Sequence, residues 1–223
     1  MRRASTVESS VEHTSIGRIV VPPGVPDGFR LFYTTIDYDG GIVPELIDAP
    51  IAECRQVHGA AVRCAARASD APQCDALWTA EKHLALAIKV ADCLPVSLID
   101  AAHGVIANIH SGWRGTVQGI AGATLDAAPL DPAATTAWLG PTIRVCCFEV
   151  GEEVALQFDE RFVDRSRGAK PHVDIALAVA DLLHRRGVAN VIDTGLCTRC
   201  QGSMFHSYRR DKRSGRNLAI VAH

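Results

Sequence analysis

The sequence predicts an α+β fold, a mixed β-sandwich flanked by helices, and three observations carry that expectation. Short apolar runs bounded by Pro, Gly and Asp recur along the 223 residues, the clearest at 84–90, 96–99 and 105–109. Runs of that length read as buried strands. One segment, 173–186, instead places Ile175, Val179, Leu182 and Leu183 at helical spacing, fills its last turn with Arg185 and Arg186, and meets Gly187 as a stop. Strands and helices then mix without a regular βαβ alternation, which argues against a doubly wound parallel sheet.

Taken in order, residues 1–14 carry charges and no apolar segment, and read as a frayed, disordered tail ahead of a single domain at 15–223. Strands are expected at 16–21 and 29–35, with turn chemistry at 37–41. Residues 42–53 show no clear period. A strand at 61–65, a loop at 70–75 and a short strand at 76–79 precede the three central strands. A helix rich in small residues is expected at 117–125, a linker at 129–132, and a strand at 137–139 ending on Gly140-Pro141. Residues 150–158 suggest a helix whose acidic first turn, Glu152 and Glu153, suits the helix dipole. After the 173–186 helix come strands at 188–192, 204–208 and 218–221, the last two joined by a basic turn at 209–216.

Composition excludes several function classes. A hydrophobic share of 48% is enough for a full core, and a net charge of −2 gives the whole molecule no nucleic-acid footprint. No apolar run reaches membrane-helix length, so a cytoplasmic protein without membrane contact is expected. The sequence is silent on oligomeric state. Eight cysteines in a chain without a secretory signal read as thiols or metal ligands rather than disulfides. Cys197-Thr198-Arg199-Cys200 is a lone C-x-x-C; a structural zinc needs two more ligands and no second such pair exists. Cys200 is therefore read as an incidental thiol, and Cys146, Cys147 and His206 receive no role.

The chain is organised around residues 90–116. Cys93 and His110 stand at the ends of expected strands, where a packed scaffold holds side chains rigidly. After His110, Ser111-Gly112-Trp113-Arg114-Gly115-Thr116 opens a helix, so free backbone N–H groups and the charge of Arg114 make a candidate anion site. Read singly, each residue has a bland alternative: His58 as a surface turn histidine, Cys93 as an inert buried thiol, Arg114 as a helix cap, and Arg209 and Arg210 as part of a solvated basic turn.

Taken together, Gln56-Val57-His58-Gly59, Ala91-Asp92-Cys93-Leu94-Pro95 and His110-Ser111-Gly112-Trp113-Arg114-Gly115 form an ordered set of motifs. With Gly140-Pro141, Phe148-Glu149-Val150-Gly151 and Ser207-Tyr208-Arg209-Arg210-Asp211, the set resembles the YfiH/laccase-domain family from Cys54 to the C-terminus. That resemblance implies a four-layer α/β/β/α sandwich and a purine nucleoside phosphorylase with adenosine deaminase activity. It also implies one zinc ion (Zn2+) held by His58, Cys93 and His110. The implied ligands lie 35 (58 to 93) and 17 (93 to 110) residues apart, so only the fold can assemble them. Two imidazoles and one thiolate suit tetrahedral zinc with an open fourth position, and a water there would be acidified to a pKa of about 7.

The expected substrates are a small-molecule nucleoside and phosphate. Arg114 and Arg209 are the candidate phosphate contacts, and Asp92 is a candidate ligand-orienting or proton-transfer group beside Cys93. One departure from the family pattern is visible: Thr34-Thr35 is followed by Ile36 where an Arg is usual, and only residues 42–57 separate the Gly40-Gly41 turn from His58. It predicts weaker turnover. The alternatives are a Cys–His hydrolase or deamidase using Cys93 and His110, and a non-catalytic zinc-binding relative. A copper oxidase of the multicopper type is discounted because none of the nine histidines forms a His-x-His pair.

Overall fold

The computed structural model describes residues 4–38, 46–68 and 72–223. In chain order the strands are β1 (Ser5–Thr6), β2 (Ser10–Thr14), β3 (Gly17–Val21), β4 (Arg30–Thr34), β5 (Ile51–Glu53), β6 (Val62–Cys64), β7 (Ala76–Thr79), β8 (Ala85–Val90), β9 (Leu94–Asp100), β10 (Val105–Ser111), β11 (Thr135–Leu139), β12 (Val163–Asp164), β13 (His172–Val173), β14 (Asn190–Asp193) and β15 (Asn217–Ala222). The α-helices are α1 (Trp113–Val117), α2 (Ile120–Ala127), α3 (Glu152–Ala155) and α4 (Ile175–Arg185).

Two mixed sheets pack face to face. One has seven strands in the order β1-β14-β11-β9-β10-β7-β6, and the other six in the order β2-β3-β4-β15-β8-β5. The alternation of strand side chains divides the core into layers. On β10, Ile106 joins Leu86, Trp138, Ala219 and Val221 between the sheets. Ala107 and Ile109 instead face the helices, with Ile120, Leu125, Val179 and Leu183. Asn108, fully buried between the sheets, donates to the Leu86 and Ala219 carbonyls at 3.0 and 2.8 Å and accepts from Ser97 Oγ at 3.1 Å. A buried amide with its partners in place ties one sheet to the other.

Helix α4 matches its expectation. Asp174 caps it by accepting from Leu177 N at 2.9 Å, and Ile175, Val179 and Leu183 are buried while Leu182 is half-buried. Two expected helices are shorter. Gly119, at φ +79°, separates α1 from α2 inside the 117–125 span, and only Glu152–Ala155 of 150–158 is helical. The outer face of the six-stranded sheet is covered, among the described residues, by irregular chain around the buried Ile47.

Two expectations are corrected. The stretch 1–14, expected to fray, is strand-forming in its described part. β2 forms a hairpin with β3, Ser10 opposite Val21 and Thr14 opposite Gly17, and β1 runs parallel to β14. β2 buries no face, so it lacks the apolar alternation that announces a strand; backbone pairing holds it, helped by Thr14 Oγ1, which donates to Gly17 O at 2.7 Å. The segment 204–208 is a series of turns, not a strand. Phe205 and Ser207 are buried and mimic alternation, but Met204 N and Phe205 N both donate to Gln201 O, and the backbone of His206 pairs with the Asn217 side chain rather than with a strand's backbone. The Gly40-Gly41 turn and Asp70 lie outside the described residues.

Candidate metal centre

The chain crosses between the sheets three residues after β8, and that crossing builds the site. β8 belongs to the six-stranded sheet and β9 to the seven-stranded one, so Ala91-Asp92-Cys93 must turn sharply. Asp92 takes φ +91°, a conformation that non-glycine residues adopt at a cost. Its bonds hold it there. Its carboxylate accepts from Thr198 Oγ1 at 2.7 Å and Arg209 N at 2.6 Å, and its carbonyl accepts from Thr142 Oγ1 at 2.7 Å and Ile143 N at 2.9 Å. Both carboxylate oxygens are thus committed to fixing the turn that presents Cys93.

His110 sits one residue before the end of β10, on the pleat that faces the other sheet. His58 lies in the loop between β5 and β6 at φ +60°. Gln56 anchors that loop by pairing its amide with the edge of β8, donating to Lys89 O at 2.8 Å and accepting from Lys89 N at 2.9 Å. A residue the sequence reading missed does most to join the two histidines. Asp75, wholly buried ahead of β7, accepts from Val57 N, His58 N and Gly59 N at 2.8–3.2 Å and from the His110 ring at Nδ1, 2.8 Å. One carboxylate therefore shapes the His58 loop and turns His110 so that Nε2 is left for the site. Its only signal in the sequence was an acid immediately before a buried strand.

His58, Cys93 and His110 converge, with their donor atoms all within 4.8 Å of one another. The histidine rings meet edge to face at 68°. Gly112 closes one side: a Cβ there would stand 3.0 Å from Cys93 Sγ and 3.2 Å from His58 Nδ1. Gly115 is as constrained, since a Cβ would lie 2.9 Å from Gly59 O. The two glycines of the His-Ser-Gly-Trp-Arg-Gly motif let α1 close over the His58 loop.

The electrostatics follow from these contacts. Burial alone would push the Cys93 thiol up, but hydrogen bonds from His110 and His58 outweigh it and bring the thiol down to about 7. Burial alone would lower His110, but bonds to Asp75 and Cys93 outweigh it and lift the imidazole to about 9. Burial works against ionisation of Asp75 too, yet the His110 ring and three backbone N–H groups hold its carboxyl below the usual range. A thiolate and two imidazoles, one oriented by a buried carboxylate, form a donor set that fits a divalent transition metal.

The three donors line a cleft of about 610 Å³ together with Arg55, Lys89, Tyr208 and Arg216, a size that accepts a small organic ligand. Three sequence-predicted residues do not line it: Asp92, held behind Cys93 by the bonds described above, and two arginines. Arg114 is exposed on α1, its guanidinium 4.4 Å from the centre of the Trp113 ring. Arg209 donates to Glu149 O at 2.7 Å and lines, with Trp113 and Phe148, a neighbouring hollow of about 310 Å³. Arg216, from the turn read as solvated, is the arginine that reaches the cleft from that segment. Arg210 is a structural donor to Thr198 O and Phe205 O.

A second cluster places Cys200 among other thiols rather than alone. Cys146 and Cys147, which received no role, meet Cys197 and Cys200 with all four sulfurs within 4.8 Å of one another.

Fold and site together define an α+β sandwich protein with a two-histidine, one-cysteine donor set built from two strand ends and the loop between β5 and β6. The chain belongs to the YfiH/laccase-domain family: it matches the family described as multi-copper polyphenol oxidoreductase laccase over residues 44–223. It is 35% identical over 181 residues to a purine nucleoside phosphorylase of Pseudomonas aeruginosa, covering 76% of this chain and 74% of the relative. It is 35% identical over 148 residues to the adenosine deaminase RL5 of an unknown prokaryotic organism, covering 61% of this chain and 56% of that one. The crystal structure of the Neisseria meningitidis protein NMB0706 superposes with a TM-score of 0.84 at 26% identity, covering 97% of this chain and 99% of that chain. Among the described residues, no helix is long and apolar enough to cross a membrane.

Proposed function

We propose that this chain is a zinc-dependent purine nucleoside phosphorylase. It cleaves adenosine, inosine or methylthioadenosine with phosphate to the free base and the ribose 1-phosphate, and deaminates adenosine to inosine as an accompanying activity. The observation that carries the reading is the His58–Cys93–His110 set at the wall of a cation-lined cleft. The names of the relatives, one a phosphorylase and one a deaminase, point the same way.

Zinc held by these three donors would supply Lewis acidity and a water acidified toward neutral pH. The chain's own residues do the rest. Asp75 orients His110 and the His58 loop, and Asp92 positions Cys93 rather than moving a proton, since both its oxygens are engaged. Tyr208 offers an aromatic face to a base. Arg216 takes the phosphate role in place of Arg114 and Arg209, because it lines the cleft and fixed positive charge is what phosphate requires there, whereas the Lys89 ammonium is paired with Glu53 at 2.6 Å.

Arg216→Ala should raise KM for phosphate about tenfold or more while leaving adenosine deamination within about twofold, since only phosphorolysis needs the anion. Arg114→Ala should change neither by more than about twofold. Initial-rate measurements over a range of phosphate, with base and inosine quantified separately, check both. The reverse pattern would return the phosphate to Arg114.

A specific geometry supports a second reading. Cys93, His110 and Asp75 form a thiol–imidazole–carboxylate chain like that of cysteine hydrolases. Metal separates the two: the phosphorylase reading needs the zinc-loaded protein, whereas a cysteine nucleophile works only once zinc is removed.

A further inference from the structure

We propose that Cys146, Cys147, Cys197 and Cys200 form a second, structural zinc site, a tetrathiolate independent of the His58–Cys93–His110 centre. The four belong to two short segments far apart in sequence. Cys146 and Cys147 lie on the turn after Gly140-Pro141, where Cys147 N and Phe148 N both donate to Arg144 O, so that two adjacent side chains can aim at one point. Cys197 and Cys200 lie on the turn after β14, joined to the first segment by a bridge between Thr142 and Cys197.

The sulfurs are spaced for a metal. Cys146 Sγ lies 3.6 Å from Cys197 Sγ and 3.7 Å from Cys200 Sγ, and Cys147 Sγ lies 3.4 Å from Cys200 Sγ. In tetrahedral zinc with Zn–S bonds of about 2.3 Å, the sulfurs stand about 3.8 Å apart. A disulfide would need about 2.05 Å between one pair, and these separations single out no pair. Backbone N–H groups of Arg144 and Cys200 point at Cys197 Sγ. N–H donors aimed at sulfur stabilise the thiolate form. Cys197 is buried, Cys147 half-buried, and Cys146 and Cys200 are exposed, so one edge of the quartet stays open for a metal to enter. On binding, the thiols give up their protons to solvent and four sulfur–zinc bonds form, with no redox change.

The position gives the site a purpose. The segments it would clamp carry Thr142 and Thr198, the two side chains that bond to Asp92 and so fix the turn presenting Cys93. A zinc cross-link there would lock the outer support of the first centre, joining residues more than 50 positions apart at a place with little other regular structure.

Metal analysis of the full chain, purified with zinc under a phosphine reductant and desalted, tests this. Wild type should hold two zinc ions per chain, and Cys197→Ser/Cys200→Ser and His58→Ala should each hold one. X-ray absorption at the zinc edge of wild type should average about two and a half sulfurs per zinc, against one when only the mixed centre is loaded; this readout stands even if the double variant does not fold. One zinc per chain in wild type with a single sulfur ligand would overturn the proposal. So would a disulfide among these four cysteines that persists under reductant.

Discussion

The His58–Cys93–His110 centre draws two ligands from strand ends and one from a loop, with a buried carboxylate bracing both histidines, whereas Cys146, Cys147, Cys197 and Cys200 all sit on turns outside the strands. In the first, the scaffold assembles the ligands: Asp75, Asp92 and Gln56 position the His58 loop, the Cys93 turn and the His110 ring through hydrogen bonds already in place. In the second, no strand carries any of the cysteines, and the two turns are joined by the Thr142–Cys197 bridge, the Arg144–Asp193 ion pair and the bonds that Thr142 and Thr198 both make to Asp92. Preorganised ligands with an open cleft suit chemistry, and four thiols without one suit a cross-link.

The comparison breaks first at Asp75. Asp75→Asn keeps the shape but loses the charge that three backbone N–H groups and His110 share. It should weaken zinc binding at the first centre about 10–100-fold, measured by competition with a chelator of known affinity. An unchanged affinity would mean that the histidines are not positioned by this carboxylate, and the contrast between the two clusters would fail.

A smaller effect sharpens the same point. Gly112→Ala places a methyl against Cys93 Sγ and His58 Nδ1, and should weaken zinc binding several-fold with only a slight fall in thermal midpoint. Gly119→Ala is the control. Its φ of +79° with open space around it predicts a loss of about 1 kcal/mol of stability and no change in metal affinity. Chelator competition and thermal unfolding on both variants separate crowding at the site from strain in the backbone.

Much of the scaffold was legible because its strands are buried on both faces. β8, β9 and β10 are largely apolar in sequence, and α4 shows its period, its basic last turn and its glycine stop. β2 was not legible because an exposed edge strand has no apolar face to betray it. Residues 204–208 misled because alternating burial does not require a neighbouring strand. At the site, His58, Cys93 and His110 came from their ordered motifs and not from spacing. Asp75 was missed because a carboxylate that works by accepting N–H bonds leaves no pattern. The cysteine quartet was missed because its halves stand about 50 residues apart, and a lone C-x-x-C looks complete only once the chain has folded. Arg216 has no signal in the sequence because an arginine in a charged turn looks solvated, whereas the helix-opening motif draws attention to Arg114; the structure brings Arg216 to the cleft wall.

The central claim is that His58, Cys93 and His110 hold the metal on which nucleoside chemistry depends. The direct measurement quantifies products from adenosine, with and without phosphate, for zinc-loaded wild type and Cys93→Ala, alongside the zinc and copper content of each. Zinc-loaded wild type should release adenine and ribose 1-phosphate only when phosphate is present and inosine in either case, and Cys93→Ala should lose both reactions together with one metal ion per chain. Zinc-loaded wild type that turns over no nucleoside, or Cys93→Ala that keeps its activity, would contradict it.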